Sequence, residues 1–120
     1  MQSPAQAYRT VATQTASPRE LEADLLLKAA ARLQTIKDNW ERDASKLDDA
    51  LLYNRKLWTV FMSSVTENTN PLPAPIRQNI ANLGIFVLKR TLDTQTTPAP
   101  EQLGALIRIN RELAQGLRGA

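Results

Sequence analysis

Proline restricts this chain more than any other residue does. Its ring removes a backbone donor and clashes with the preceding helical turn, so proline sits at helix starts, in turns and in extended connectors. The seven prolines fall at Pro4, Pro18, Pro71, Pro73, Pro75, Pro98 and Pro100. With the glycines they divide the chain into five segments. Within each segment the apolar residues recur every three or four positions, the period of one helix face. The expected fold is therefore all-α: a small helical bundle of about four to five helices with proline-marked joints. It forms a single domain over 1–120, with central helices in 17–90 and an amphipathic C-terminal helix in 98–120.

The segments differ in how firmly they announce themselves. Ser3-Pro4-Ala5-Gln6 can open a short helix carrying Tyr8, Val11 and Ala12. Ser17-Pro18-Arg19-Glu20 is a stronger start, with a capping oxygen, a proline at the first position and a glutamate to complete the box. Leu21, Leu25, Ala29, Leu33, Ile36 and Trp40 then share a face, which Leu26, Leu27 and Ala30 widen. Asp43 to Lys46 reads as a turn with capping residues. The next stripe is Leu47, Leu51, Asn54, Trp58, Phe61 and Val65. A rigid connector, Asn70-Pro71-Leu72-Pro73-Ala74-Pro75, leads to a helix starting near Pro75, with Ile76, Ile80, Leu83 and Val87 in line. Gly84 inside it reads as a point of close helix packing. Thr91 to Ala99 has the composition of a linker. Leu103, Leu106, Ile107, Asn110, Leu113, Ala114 and Leu117 trace the final stripe.

Composition narrows the function. The chain has no Cys and no His. Disulfides, thiolate metal sites and a Cys nucleophile are excluded, and the commonest general base and metal ligand is missing. The four glycines make no phosphate-cradling loop. Asp48-Asp49 is the only acidic doublet and complements a helix start, and Ser63-Ser64 has no base to activate it. The chain reads as a binding protein, not an enzyme, with no metal and no cofactor. Met1 to Ala12 lacks the apolar run of a secretory signal, and no stretch approaches a membrane span, so the expected address is the cytoplasm without membrane insertion. The net charge of +3 arises wholly in the C-terminal part: residues 1–67 hold nine basic and nine acidic side chains, residues 68–120 six and three. So small a surplus attracts nucleic acid only weakly at physiological salt.

Two stretches carry most of the remaining information. Ala50-Leu51-Leu52-Tyr53-Asn54-Arg55-Lys56-Leu57-Trp58-Thr59-Val60-Phe61 gathers three of the six aromatic residues. Asn54 interrupts its stripe and reads as a buried amide bonded to a neighbouring helix. Tyr53 and Trp58 read first as core, although such amphipathic rings also serve at interfaces. The second stretch runs from the proline connector into Ile76-Arg77-Gln78-Asn79-Ile80-Ala81-Asn82-Leu83, whose amides face water or a partner.

With Ala5-Gln6-Ala7-Tyr8 and Ser17-Pro18-Arg19-Glu20-Leu21-Glu22-Ala23, these stretches resemble the FlaF family of flagellar biosynthesis regulators of alphaproteobacteria, over residues 3 to about 90. The resemblance implies a cytoplasmic protein that acts on flagellin, as a positive factor for its synthesis and export opposite the translational regulator FlbT. It also implies a role similar to that of chaperones that hold flagellin before secretion, with no enzymatic activity and no cofactor. A helical bundle can meet that role by accepting a terminal helical segment of flagellin in an apolar groove. The residues expected at such an interface are Tyr53, Trp58, Asn79, Leu106, Ile107 and Leu113. The first and last helices are expected to be its covers or walls, so that deleting 98–120 alters binding more than it alters the folding of 17–90. Two alternatives remain open: direct contact with flagellin messenger RNA through Lys89, Arg90, Arg108, Arg111 and Arg118, and an adaptor for FlbT or the export apparatus.

Overall fold

The computed structural model describes residues 18–119. The short helix expected from Ser3 and the cap expected from Ser17 lie outside the described residues. Four long helices follow: α1 (Pro18–Asp38), α2 (Leu47–Val65), α3 (Ala74–Thr96) and α4 (Leu103–Arg118). Pro18 is the first residue of α1, where its missing N–H is no loss. Asn39 interrupts the helix after Asp38, its side-chain amide and its backbone N–H both donating to the Thr35 carbonyl. A single turn, Trp40–Asp43, and a 3₁₀ turn, Ala44–Lys46, complete the reversal into α2.

The expected capping role of the Asp43–Lys46 turn is not what the structure shows. Asp43 makes no cap bond and is instead buried between two cations. Its carboxylate accepts from Arg42 at 3.1 Å and lies 3.4 Å from Lys46 Nζ. The Arg42 hydrogen bond holds the Asp43 carboxyl below its usual range; burial opposes this, and Lys46 adds to the lowering.

The helices run alternately up and down. Val65 and Ile80 share a crevice, and the buried rows of α2 and α3 mirror one another: Leu51, Asn54, Trp58, Phe61 and Val65 against Thr94, Thr91, Val87, Gly84 and Ile80. That mirror spacing is what antiparallel packing in one register requires. A Cβ at Gly84 would overlap the Met62 side chain, so the close packing read from the sequence is real. α1 and α4 are also antiparallel, tied at one end by Arg118 to Asp24 and further along by Arg111 to Gln34. Among the described residues this is the most extensive contact between helices, followed by α2 on α3 and α1 on α2; α3 meets α4 sparingly.

The linker expected from Thr91 is helix as far as Thr96. The Thr91, Thr94 and Thr96 hydroxyls each donate to the carbonyl four residues earlier, which satisfies them within the helix. Thr91 and Thr94 are buried against the bundle, so tertiary packing overrides their poor intrinsic preference. Past Thr97 the Pro98 and Pro100 joint leads through one 3₁₀ turn into α4.

Of the two roles expected of the C-terminal helix, cover or wall, its packing fits the wall. Leu103, Leu106, Ile107, Ile109, Asn110, Ala114 and Leu117 are all buried, and most belong to the main core cluster. α4 is a wall of the fold itself.

Candidate functional site

At the centre of the bundle polar side chains of α2 and α4 meet a backbone carbonyl of α1. Trp58 Nε1 donates to Asn110 Oδ1 at 2.9 Å. Asn110 Nδ2 donates to Asn54 Oδ1 at 2.7 Å and to the Leu26 carbonyl at 3.4 Å. Asn54, Trp58 and Asn110 are fully enclosed, and Trp58 meets the Phe61 ring edge-on at 6.1 Å. α2 and α4 supply the polar side chains, from stripes that place Asn54, Trp58 and Asn110 among apolar residues, and α1 contributes the Leu26 backbone carbonyl. The cluster locks α1, α2 and α4 together; it has no access for a ligand. The reading of Asn54 as a buried amide bonded to another helix holds.

This placement corrects several interface expectations. Trp58, Leu106 and Ile107 are core residues, at 0%, 0% and 3% exposure. A partner could reach them only by taking the bundle apart, because their periodicity marks an apolar face without saying that another helix of the same chain covers it. Tyr53 is half-buried, with the Arg32 guanidinium over its ring at 5.8 Å. Leu113 is half-buried beside Leu117 in a narrow crevice. Asn79 stands exposed on α3. The structure does not bring these six into one surface.

The basic residues offered for RNA are scattered and largely engaged. Arg90 donates to Gln102 at 3.0 Å and lies over the Phe86 ring at 5.4 Å. Arg111 donates to Gln34, and Arg118 pairs with Asp24. Among the described residues no group of His, Cys, Asp or Glu could hold a metal ion, and no helix is long and apolar enough to cross a membrane. A shallow hollow of about 260 Å³ between α1 and α4, floored by Ile107, is rimmed by Lys37, Arg108, Arg111 and Glu112. Its mixed charges and open shape define no chemistry.

What remains outside is apolar and lies on α2 and α3. On α3, Ile85 is 49% exposed, Leu92 62% and Phe86 39%, and Ile76 also faces water; on α2, Val60 and Leu52 do. Of the exposed residues on α3, Ile76 belongs to the stripe Ile76, Ile80, Leu83 and Val87, and the others lie off it. A second row was nonetheless legible: Ala81, Ile85, Leu88 and Leu92 follow the same helical spacing along another face.

The model of the family described as flagellar protein FlaF matches residues 4–117. The chain belongs to the FlaF family. The match extends well past residue 90, where the resemblance read from motifs ended, so α4 is as much a part of the FlaF domain as the central helices are. No curated protein and no solved structure matches the chain. FlaF membership makes this a flagellar protein with an all-α fold, and the locked polar centre, the buried α4 and the uncovered apolar row on α3 are features of that fold.

Proposed function

We propose that this chain binds flagellin in the cytoplasm, holding an apolar terminal helical segment before export and so acting as a chaperone and positive factor for flagellin production. The observation that carries this reading is the apolar surface left on α3 after the bundle has packed, with Ile85 49% and Leu92 62% exposed. Adjacent apolar side chains left in water are unfavourable unless something covers them for part of the time. An unassembled filament subunit has the same problem at its helix-prone ends, and joining the two surfaces relieves both. Ordering such a segment costs roughly 2–5 kcal/mol, which keeps affinity moderate and release feasible.

Membership of a flagellar family supplies the context, and the engaged state of Arg90, Arg111 and Arg118 speaks against an RNA surface. The test is co-purification of the full chain with flagellin, intact and lacking either terminal segment. Retention of intact flagellin and its loss with one truncation is the expected result. Capture of FlbT or an export component, but never flagellin, would replace this reading with that of an adaptor.

A further inference from the structure

α3 is the longest of the four helices and the one that buries least for its length. Of its 23 residues only Ile80 and Val87 bury large apolar side chains, with Ala81, Leu83 and Leu88 half-buried beside them. α4, with 16 residues, buries Leu103, Leu106, Ile107, Ile109, Ala114 and Leu117. The rest of the buried α3 row is Gly84, Thr91 and Thr94. Such small side chains let α3 approach α2 closely, yet they remove little apolar area from water when they do.

Polar bonds do not make up the difference. Among the described residues no hydrogen bond and no ion pair joins α2 to α3. The hydroxyls of Thr91 and Thr94 turn onto their own helix. Asn54 stands level with Thr91 in the mirrored register, but its Oδ1 is taken up by Asn110 of α4, and its Nδ2 has no partner among the described residues. A buried donor left in this way opposes closure of the layer, since water satisfies it once the layer opens. The side-chain bond that α3 makes to another element runs from Arg90 to Gln102, in the 3₁₀ turn just past its end. The other three helices are tied across their interfaces by the central cluster and by Arg111 to Gln34 and Arg118 to Asp24. Non-helical joints, 66–73 and 97–99, bound α3 on both sides, so it can move without unwinding a neighbour.

We infer that α3 is a strap: it leaves α2 as one cooperative unit while α1, α2 and α4 stay packed. Closed, the molecule shows the apolar side chains of Ile85 and Leu92. Open, it adds Ile80 and Val87 from α3 and bares Leu51 and Phe61 of α2, which the α3 row covers. The apolar surface of this bundle is therefore adjustable in area. Such opening belongs to the bundle itself and does not depend on what the chain binds.

Native-state hydrogen exchange of the full chain, followed amide by amide in low urea, is the test. A helix parted from its neighbour is only marginally stable in water, so its amides exchange when it leaves. Amides of 80–92 should exchange together, at least about tenfold faster than those of 26–33 and 106–110 and with a smaller urea dependence. Those of 51–61 should follow the slow group. A cross-link then shows which contact breaks. The chain has no Cys, and a Cβ at Gly84 would overlap the Met62 side chain, so the double variant Met62→Cys/Gly84→Cys places two thiols within disulfide reach. Oxidised, it should slow exchange of 80–92 to the rate of the other helices; reduced, it should restore the faster rate. One rate and one urea dependence across all four helices in the unaltered chain overturns the inference, because α3 would then open only with the whole molecule. Exchange of 51–61 in step with 80–92 overturns it too, because α2 and α3 would then part from α1 together. So does fast exchange of 80–92 that persists in the oxidised variant, which would mean that α3 loosens without leaving α2.

Discussion

α3 and α4 begin alike and end differently. Each follows a proline-marked joint, and each carries apolar residues at helical spacing. α4 keeps nearly all of its apolar residues on one face and turns that face onto α1, with Arg118 and Arg111 reaching across to Asp24 and Gln34. α3 distributes its apolar residues around the helix, buries one row against α2, and leaves Ile85, Phe86 and Leu92 to solvent. An amphipathic helix with one greasy face is satisfied by one neighbour. A helix with two such faces, given one neighbour, keeps the second available.

That contrast can be broken most directly by removing α4. A chain ending at Thr97 loses the partner of α1 and, with Asn110, all three hydrogen bonds of the central polar cluster, and should show no cooperative thermal transition by circular dichroism. Survival of a folded 18–97 would restore α4 to the role of a cover. A smaller effect is expected from Trp58→Phe, which leaves Asn110 Oδ1 enclosed without its donor. Urea unfolding should record a loss of about 1–3 kcal/mol, and an unchanged midpoint would mean that the cluster relaxes. Asp43→Asn tests the turn. Because the folded Asp43 carboxyl titrates below its ordinary value of 3.8, the unfolded chain binds the extra proton first, so this group's contribution is complete above that value and fades as pH falls through and below it. The variant should flatten that acid limb of the stability profile and leave the shape above pH 5 or so unaltered. The smallest effect on stability belongs to α3: Ile85→Asp and Leu92→Asp, singly, should shift unfolding by no more than about 0.5 kcal/mol, since neither side chain is buried.

Much of this fold is legible in the chain. The stripe from Leu47 to Val65 is the buried row of α2, Asn54 included, and Gly84 marks the close approach of α3. The turn of direction after Asp38 and the starts of α2 and α4 fall near where polar and proline residues place them. Two things are hidden. Thr91, Thr94 and Thr96 look like linker residues, since their hydroxyls compete with backbone bonds in an isolated peptide; in the bundle those hydroxyls turn back onto their own helix. The burial of Leu106 and Ile107 is hidden for another reason. Periodicity identifies a face that prefers to leave water, but whether a sister helix or a visitor covers it depends on the order in which helices assemble around the axis. The candidate surface on α3 suffered the converse fate: its row was visible, but the stronger row beside it claimed the core.

The junction of Asn110 with Leu26, 84 residues apart along the chain, also bears on how the molecule comes into being. During synthesis α1 emerges long before the helix that roofs it. Until α4 arrives, the greasy side of α1 waits uncovered on the nascent polypeptide, open to proteases and to clumping. Such far-flung closure makes folding slower than a hairpin-by-hairpin bundle would allow.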